Sequence, residues 1–484
     1  MTATIDRQTA PEPAPRDRRR GWFAQLLLRL HFFAGLLVGP FILVAALSGA
    51  AYAVTPALEP LVYAHELRAP VTSSTVPLAE QIAVAEDVVS DEGELVAVRP
   101  APNPGDTTRV MFTGEGLGES YTRAIFVDPG TAEVRGDLPV YGTSGAMPIR
   151  SAVDQFHRSL GLGDFGRLYS ELAASWLGVV ALAGIPLWVV RIRKARRRKE
   201  MLRPEPGAKG YRRTFSWHAS TGVWLLLGAL FLSATGITWS QFGGENVTGL
   251  RAALNWQTPS VSTTLTGGGG PADEHAGHGM AQAAAGVDDL GAFDEVLAVA
   301  QTVNVNTGLV EIKPPADADS AWTVTEIQRS FPTEVDAVAI DGATLEVVDR
   351  VDFADYPFMA KLARWGIDTH MGSMFGLPNQ ILLVVTALGI AAMVVFGYVM
   401  WWQRRPTTGR RMRMGRPAPE GALAKAPWWG LAAVIAVGAV IGWFLPLLGG
   451  TLVAFVVLDA VLTAARPVRS ATPAPAMTTD GRSR

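Results

Sequence analysis

Four of the seven histidines stand at the mouths of long apolar blocks: His31, His157, His218 and His370. His31 opens a block with Gly35 at +4 and Gly49 at +18, and His218 opens another with Gly222 and Gly236 at the same spacings. His157 precedes a block with Gly184 at +27 and Trp188 at +31, and His370 precedes one with Gly397 and Trp401 at those spacings. His65, His275 and His278 lie outside this pattern. A polar ring at a membrane boundary is costly without a partner. A single histidine there is satisfied by water or a headgroup, but two matched pairs point to a shared role. Neutral imidazole nitrogen suits iron, and two imidazoles at one level on facing helices can clamp one planar macrocycle. Gly35, Gly222 and Gly161 lie about one turn from a histidine and leave room for a ring. Arg29, Arg158, Arg213 and Arg364 stand near the histidines, where they can pair with haem propionates or snorkel to headgroups.

Two other chemistries compete for these histidines. Zinc wants four tetrahedral ligands gathered in one place. A proton relay wants carboxylates within the spans. Both are set aside on the expectation that no Asp or Glu lies inside a span. The chain has no cysteine, which excludes disulfides, zinc–thiolate sites, iron–sulfur clusters and thioether-attached haem. His275, His278 and Met280 could bind a metal such as copper, but flanking glycines give no fixed geometry, so a solvated linker is the preferred reading.

The elements that must position the histidines are membrane spans. Of 484 residues only 18% are charged, below the quarter usual in soluble domains, and the apolar residues cluster. Six blocks are long enough: Leu30–Val54, Tyr169–Val190, Ala219–Gln241, Asn379–Trp402, Trp428–Leu447 and Leu448–Ala464. The last two read as a hairpin turning at Leu448-Gly-Gly. The first resembles a signal peptide but is too long for one and carries Arg29 and His31. Arg191 to Arg213 holds eleven Lys/Arg against two Glu, and Arg404 to Arg416 holds six Arg and no acid. Segment 55–156 has 15 acids against 6 bases, and segment 242–368 has 19 against 6. Short basic loops stay in the cytoplasm. Both termini are therefore expected inside, in a cytoplasmic (inner) membrane, with two acidic domains outside. The arginine runs set topology, and no nucleic-acid partner is expected.

The chain repeats itself. Leu95-Val-Ala-Val-Arg-Pro100 returns as Leu309-Val-Glu-Ile-Lys-Pro314, and Val127-Asp-Pro-Gly-Thr-Ala-Glu-Val134 as Ile340-Asp-Gly-Ala-Thr-Leu-Glu-Val347. Leu78–Ala85 resembles Phe293–Ala300. Each outer domain reads as a helix followed by short strands, with a D-P-G or D-G hairpin turn. The fold class expected is a mostly α membrane protein. It has a duplicated four-helix transmembrane core, a C-terminal two-helix hairpin and two small α+β extracytoplasmic domains. The order is a cytoplasmic tail (1–29), span one (30–54), outer domain one (55–156), a histidine segment with span two (157–190) and a basic loop (191–218). Span three (219–241), a Gly/His linker (242–292), outer domain two (293–368) and a histidine segment with span four (369–402) follow. A second basic loop (403–427), the hairpin (428–464) and a tail (465–484) complete it. A repeat whose halves both start inside is related by an axis along the membrane normal. That axis pairs His31 with His218 and His157 with His370.

Arg29-Leu-His31-Phe, Asp154-Gln-Phe-His-Arg-Ser159, Trp217-His218, and Thr369-His370 leading to Trp401-Trp402 resemble the PepSY-associated transmembrane (iron-regulated membrane protein) family over residues 20 to 405. That resemblance implies PepSY-like outer domains. Because members include haem-containing ferric-siderophore reductases, it also implies two b-type haems with the four histidines as iron ligands, and a siderophore-like ferric chelate as substrate. Met371 follows His370 where Arg158 follows His157, a departure in the second half. With no dinucleotide fingerprint and no room for a flavin domain, the donor would be a membrane quinol or a cytoplasmic reductase. The competing functions are a PepSY-type membrane-anchored binding or regulatory protein, and a metal-uptake accessory.

Overall fold

In a computed structural model the described residues are 21–194, 202–265, 289–306, 308–405 and 422–464; His275, His278 and Met280 lie outside them. The first apolar block is two helices, α1 (Trp22–Leu37) and α2 (Gly39–Val62), rather than one. Pro40 explains the break: it lacks an N–H and is accommodated in the first turn of a new helix. Three more long helices follow, α6 (Gly163–Lys194), α7 (Gly210–Thr238) and α11 (Leu377–Gln403). With α2 they are the four candidate membrane spans by length and composition. In the bundle α2 packs on α6, α6 on α7, α7 on α11 and α11 back on α2, while α1 lies along α6. Ala34, Ile42, Ala173, Trp176, Ala229 and Ile390 fill the centre.

The final hairpin is α12 (Trp428–Phe444) and α13 (Pro446–Ala464). Its turn falls at Leu445–Pro446, not at Leu448-Gly-Gly. The chain breaks where proline cannot donate a hydrogen bond, and Gly449 instead lets α13 approach Gly442 of α12. Trp176 Nε1 donates to Thr451 Oγ1 at 2.9 Å and ties the hairpin to α6.

The expectation that no carboxylate lies in a span also fails. Glu171 is on α6, buried at 1% exposure, and Asp459 falls on α13. The Glu171 carboxylate accepts the backbone N–H of Phe242 (2.9 Å) and Gly243 (3.3 Å) at the start of α8 (Phe242–Ala253). It caps a helix N-terminus, where a negative charge is favoured.

The two acidic segments do not form separate sheets. Strands β1 (Leu95–Arg99), β2 (Thr108–Phe112), β3 (Tyr121–Val127) and β4 (Val134–Tyr141) join β5 (Val310–Lys313), β6 (Trp322–Glu326), β7 (Ala337–Ile340) and β8 (Val347–Val351) in one antiparallel sheet of order β4-β3-β2-β1-β5-β6-β7-β8. The seam is the β1–β5 pair, with Val98 opposite Ile312. Pairing these strands removes an exposed edge from each half. Helices α4 (Leu78–Val89) and α9 (Ala292–Thr302) share one apolar core with the sheet, built on Ile82, Val98, Val110, Phe293, Ile312 and Val324. Asp294 of α9 accepts the N–H groups of Leu78 and Ala79 at the start of α4, at 2.9 and 3.0 Å. The Asp-Pro-Gly turn forms as expected: Asp128 accepts the Gly130 N–H at 2.8 Å between β3 and β4.

The other sheet face meets the bundle through α3 (Ala64–Leu67) and α5 (Pro148–Ser159), which pack on β4, while α10 (Phe358–His370) packs on α7. α2 runs eight residues past the Val54 boundary, so that Glu59 accepts the Met147 N–H at 2.8 Å and Tyr63 the Ile149 N–H at 3.0 Å.

Candidate functional site

The bundle brings the histidines together as two pairs. His31 on α1 and His218 on α7 have ring centroids 6.1 Å apart, with planes at 82°. His157 ends α5 against Ser48 of α2, and His370 ends α10 against Thr235 of α7, both on the sheet side. Leu160 in a left-handed conformation closes α5, and the chain turns so that α5 packs on α6.

The surroundings fix how three of the rings present their nitrogens. Ser48 donates its hydroxyl proton to the Val44 carbonyl at 2.8 Å, so its oxygen accepts the His157 Nδ1–H at 2.9 Å. Thr235 donates to the Phe231 carbonyl at 2.7 Å and accepts the His370 Nδ1–H at 2.6 Å. His31 Nδ1–H donates to the Val180 carbonyl at 2.9 Å. In each case Nε2 is left as the bare, lone-pair nitrogen, the form a metal binds. The fourth ring faces the Met393 carbonyl, but its Nδ1 is outside hydrogen-bond geometry and stays buried without a partner. Ser48 and Thr235 are 187 residues apart, as are His31 and His218, and Val180 and Met393 are 213 apart, as are His157 and His370. Each outer ring is therefore held by the residue next to a repeat glycine, Gly49 or Gly236.

Two glycines lie against histidine rings, and at Gly49 the approach is too close for a side chain without a shift. A Cβ at Gly49 would stand 3.1 Å from His157 Cε1, and one at Gly184 would stand 3.6 Å from His31 Cε1. The other expected glycines divide. Gly35 has no neighbour within 4 Å, Gly222 packs against Met393 Cε, and Gly161 turns the chain at φ +70°. The arginines proposed for acidic groups also divide. Arg158 donates to the Tyr141 hydroxyl at 2.7 Å, and Arg364 pairs with Asp368 at 2.7 Å. Arg29 is buried with its guanidinium 5.3 Å from the Phe33 ring, and Arg213 is exposed. Arg329 comes from the sheet side to Met371 Sδ at 3.6 Å, where the first half has Arg158 beside its histidine.

The residues fit bis-imidazole ligation of iron. Two metal–imidazole bonds of about 2 Å each, with about 1 Å from each nitrogen to its ring centre, put the centroids about 6 Å apart, as in the inner pair. Two buried polar atoms without partners, His218 Nδ1 and Trp188 Nε1, belong to residues that the repeat singles out. Among the described residues no three of His, Asp and Glu gather as a metal cage. Sequence reasoning missed Ser48, Thr235 and the Val180 carbonyl. The signal for the first two was present in the matched Ser48-Gly49 and Thr235-Gly236 dipeptides. A backbone carbonyl leaves no such trace.

Four candidate spans, with His218 on one of them and His31, His157 and His370 on the adjoining α1, α5 and α10, and a sheet domain at one end, define a membrane protein. The family model of the PepSY-associated TM region matches residues 28–404, and the chain belongs to that family. No curated protein matches the chain.

Proposed function

We propose that this protein is a di-haem b electron carrier that reduces a siderophore-like ferric chelate on the sheet side of the membrane, loosening its iron for release. The observation that carries the reading is the set of two histidine pairs, three of whose rings are held at Nδ1 so that Nε2 keeps its lone pair. Bound haem would supply the one-electron iron chemistry that no side chain of the bundle has.

The chain's own residues have separate tasks. His31 and His218 are the ligands of the inner site, and His157 and His370 those of the outer site. Ser48, Thr235 and the Val180 carbonyl orient the rings, and a hydrogen bond on Nδ1 makes Nε2 a better donor. His218 and Thr235 are seventeen residues apart on α7, about 26 Å of helix rise, so the two levels span most of the bilayer core.

The basic loops at 191–213 and 404–416 favour a cytoplasmic location for the inner pair and both termini, in the inner membrane. The sheet then lies outside, and its halves, β1–β4 with α4 and β5–β8 with α9, are PepSY-like repeats within a duplicated core. The donor is a membrane quinol or a cytoplasmic reductase.

A reduced-minus-oxidised optical spectrum of the purified protein tests the reading. Two b-type haems are expected. His31→Ala and His218→Ala should lose one and the same haem, and His157→Ala and His370→Ala the other. Loss of the same haem from His31→Ala and His157→Ala would break the pairing. A colourless protein would sink the proposal and leave the membrane-anchored binding role.

A further inference from the structure

The sheet face turned toward the bundle carries an excess of cations. Arg99 and Arg109 are directly opposite each other on β1 and β2. Like charges in that position repel, so the pair needs a compensating charge. Arg99 has one, Glu311 of β5, at 2.5 Å. Glu311 is also shared with Lys313 at 3.3 Å. Arg109 makes no ion pair among the described residues, though Glu59 and Asp106 act on it from a distance: its Nη1 donates to the Gly145 carbonyl at 3.3 Å, and its guanidinium lies 5.3 Å from the Phe126 ring.

The loop at 142–145 draws more arginines to the same place. Thr143 accepts Arg99 Nη2 on its carbonyl at 3.0 Å and Arg329 Nη2 on its hydroxyl at 2.7 Å. A Cβ at Gly145 would stand 2.5 Å from Arg99 Nη1 and 3.1 Å from Arg109 Nη1, so only glycine leaves both guanidiniums in position. Arg150 of α5 reaches Glu59 at 3.4 Å and the Tyr52 hydroxyl at 3.2 Å. Arg329 and Arg364 share Asp368, at 3.4 and 2.7 Å. The facing groups are thus five guanidiniums (Arg99, Arg109, Arg150, Arg329, Arg364) against four carboxylates (Glu59, Asp154, Glu311, Asp368), of which Asp154 faces Arg158 as well as Arg150. Asp106, which also acts on Arg109, is paired with Arg68. Burial first, and Arg99 second, push Arg109 down to about 10; burial and then Arg364 do the same to Arg329. Arg329 still keeps 18% of its side chain exposed, so solvent reaches the cluster.

We propose that these arginines bind a polyanionic, oxygen-rich ligand between the sheet and the outer histidine pair, and that the ferric chelate reduced here is of the anionic carboxylate class. The ligand assignment rests on the reductase reading; the anion site does not. Guanidiniums from two strands, a loop and two helices present several forks to carboxylate oxygens. Arg150 is seven residues before His157 on α5, about 10 Å of helix rise. An anion held there sits beside the outer pair. This is a binding step, and no bond to the ligand is made or broken.

Gallium(III) citrate, which accepts no electron, is the probe, titrated by calorimetry into the full chain in non-ionic detergent. It should bind, more weakly as salt rises, while an uncharged gallium trihydroxamate should not. Arg109→Gln should weaken binding about tenfold or more, the loss expected for one charged hydrogen-bond donor. Arg109→Lys should retain most of the affinity, and with the salt dependence it tests the site should the glutamine variant not fold. Because Arg109 makes no ion pair and stands opposite Arg99, the glutamine variant should melt no lower than the parent. No binding of gallium citrate, or equal binding to Arg109→Gln, would overturn the proposal. So would loss of citrate binding on adding phosphatidylglycerol, which would give the site to a lipid phosphate. Calorimetry reads the anion with or without haem, and the spectrum of the same sample reads haem, so each failure is seen separately.

Discussion

Thr235→Val tests the outer site through one atom. The substitution keeps the shape and removes the hydroxyl that accepts His370 Nδ1–H at 2.6 Å. The imidazole N–H then has no acceptor in a buried setting, a cost of about 1–3 kcal/mol. Loss of such an orienting partner lowers metal affinity about 10–100-fold. At about 1.4 kcal/mol per tenfold, the two estimates agree. The assay is haem titration followed optically, with a potentiometric titration of the loaded protein. Outer-haem affinity should fall in that range and its potential should shift, while the inner haem keeps both values. Thr235→Ser should restore them, and Ser48→Ala should repeat the loss through His157, whose Nδ1 it holds at 2.9 Å. An unchanged outer site, or a change at the inner haem about 26 Å of helix rise away, would refute the reasoning.

Three further outcomes are expected. Gly49→Val should displace His157, since its Cβ alone would stand 3.1 Å from Cε1; the purified variant should lose outer-haem absorbance and keep the inner. Burial alone would raise the Glu311 carboxyl, but Arg99 and Lys313 outweigh it and hold it at about 2, below its ordinary 4.5. That pair therefore contributes in full above pH 4.5 and is lost as pH falls toward 2. Glu311→Gln should cost about 3–5 kcal/mol by stranding Arg99, and circular dichroism should show less of the remaining stability lost between those pH values. In sealed right-side-out vesicles of reduced protein, a ferric chelate that cannot cross the bilayer should reoxidise the outer haem first; equal reoxidation from the cytoplasmic face of inverted vesicles would contradict the orientation.

The matched spacing of the histidines was legible because spacing survives in a chain. His31 and His218 carry their glycines at +4 and +18, and His157 and His370 their glycine and tryptophan at +27 and +31. The structure adds the 6.1 Å approach of the inner rings. The strands were legible from alternation and turn residues, as at Asp128–Gly130. Their union was not. Whether two small modules stay apart or join at β1–β5 depends on which edges meet, and β1 looks the same in sequence either way.

By itself the sequence determined that the chain is a membrane protein, where its basic loops fall, and that four histidines recur in register, because hydropathy, charge and period are properties of a linear string. Tertiary structure alone decided what holds those rings. Ser48 meets His157 across 109 residues, Thr235 meets His370 across 135, and the Val180 carbonyl meets His31 across 149. It also decided that Arg99 and Arg109 stand opposite each other beside Arg329, 220 residues beyond Arg109. Such contacts depend on helix packing and strand register, which no local pattern encodes. A carbonyl such as that of Val180 is offered by every residue, so only the folded chain picks out the one that a histidine meets.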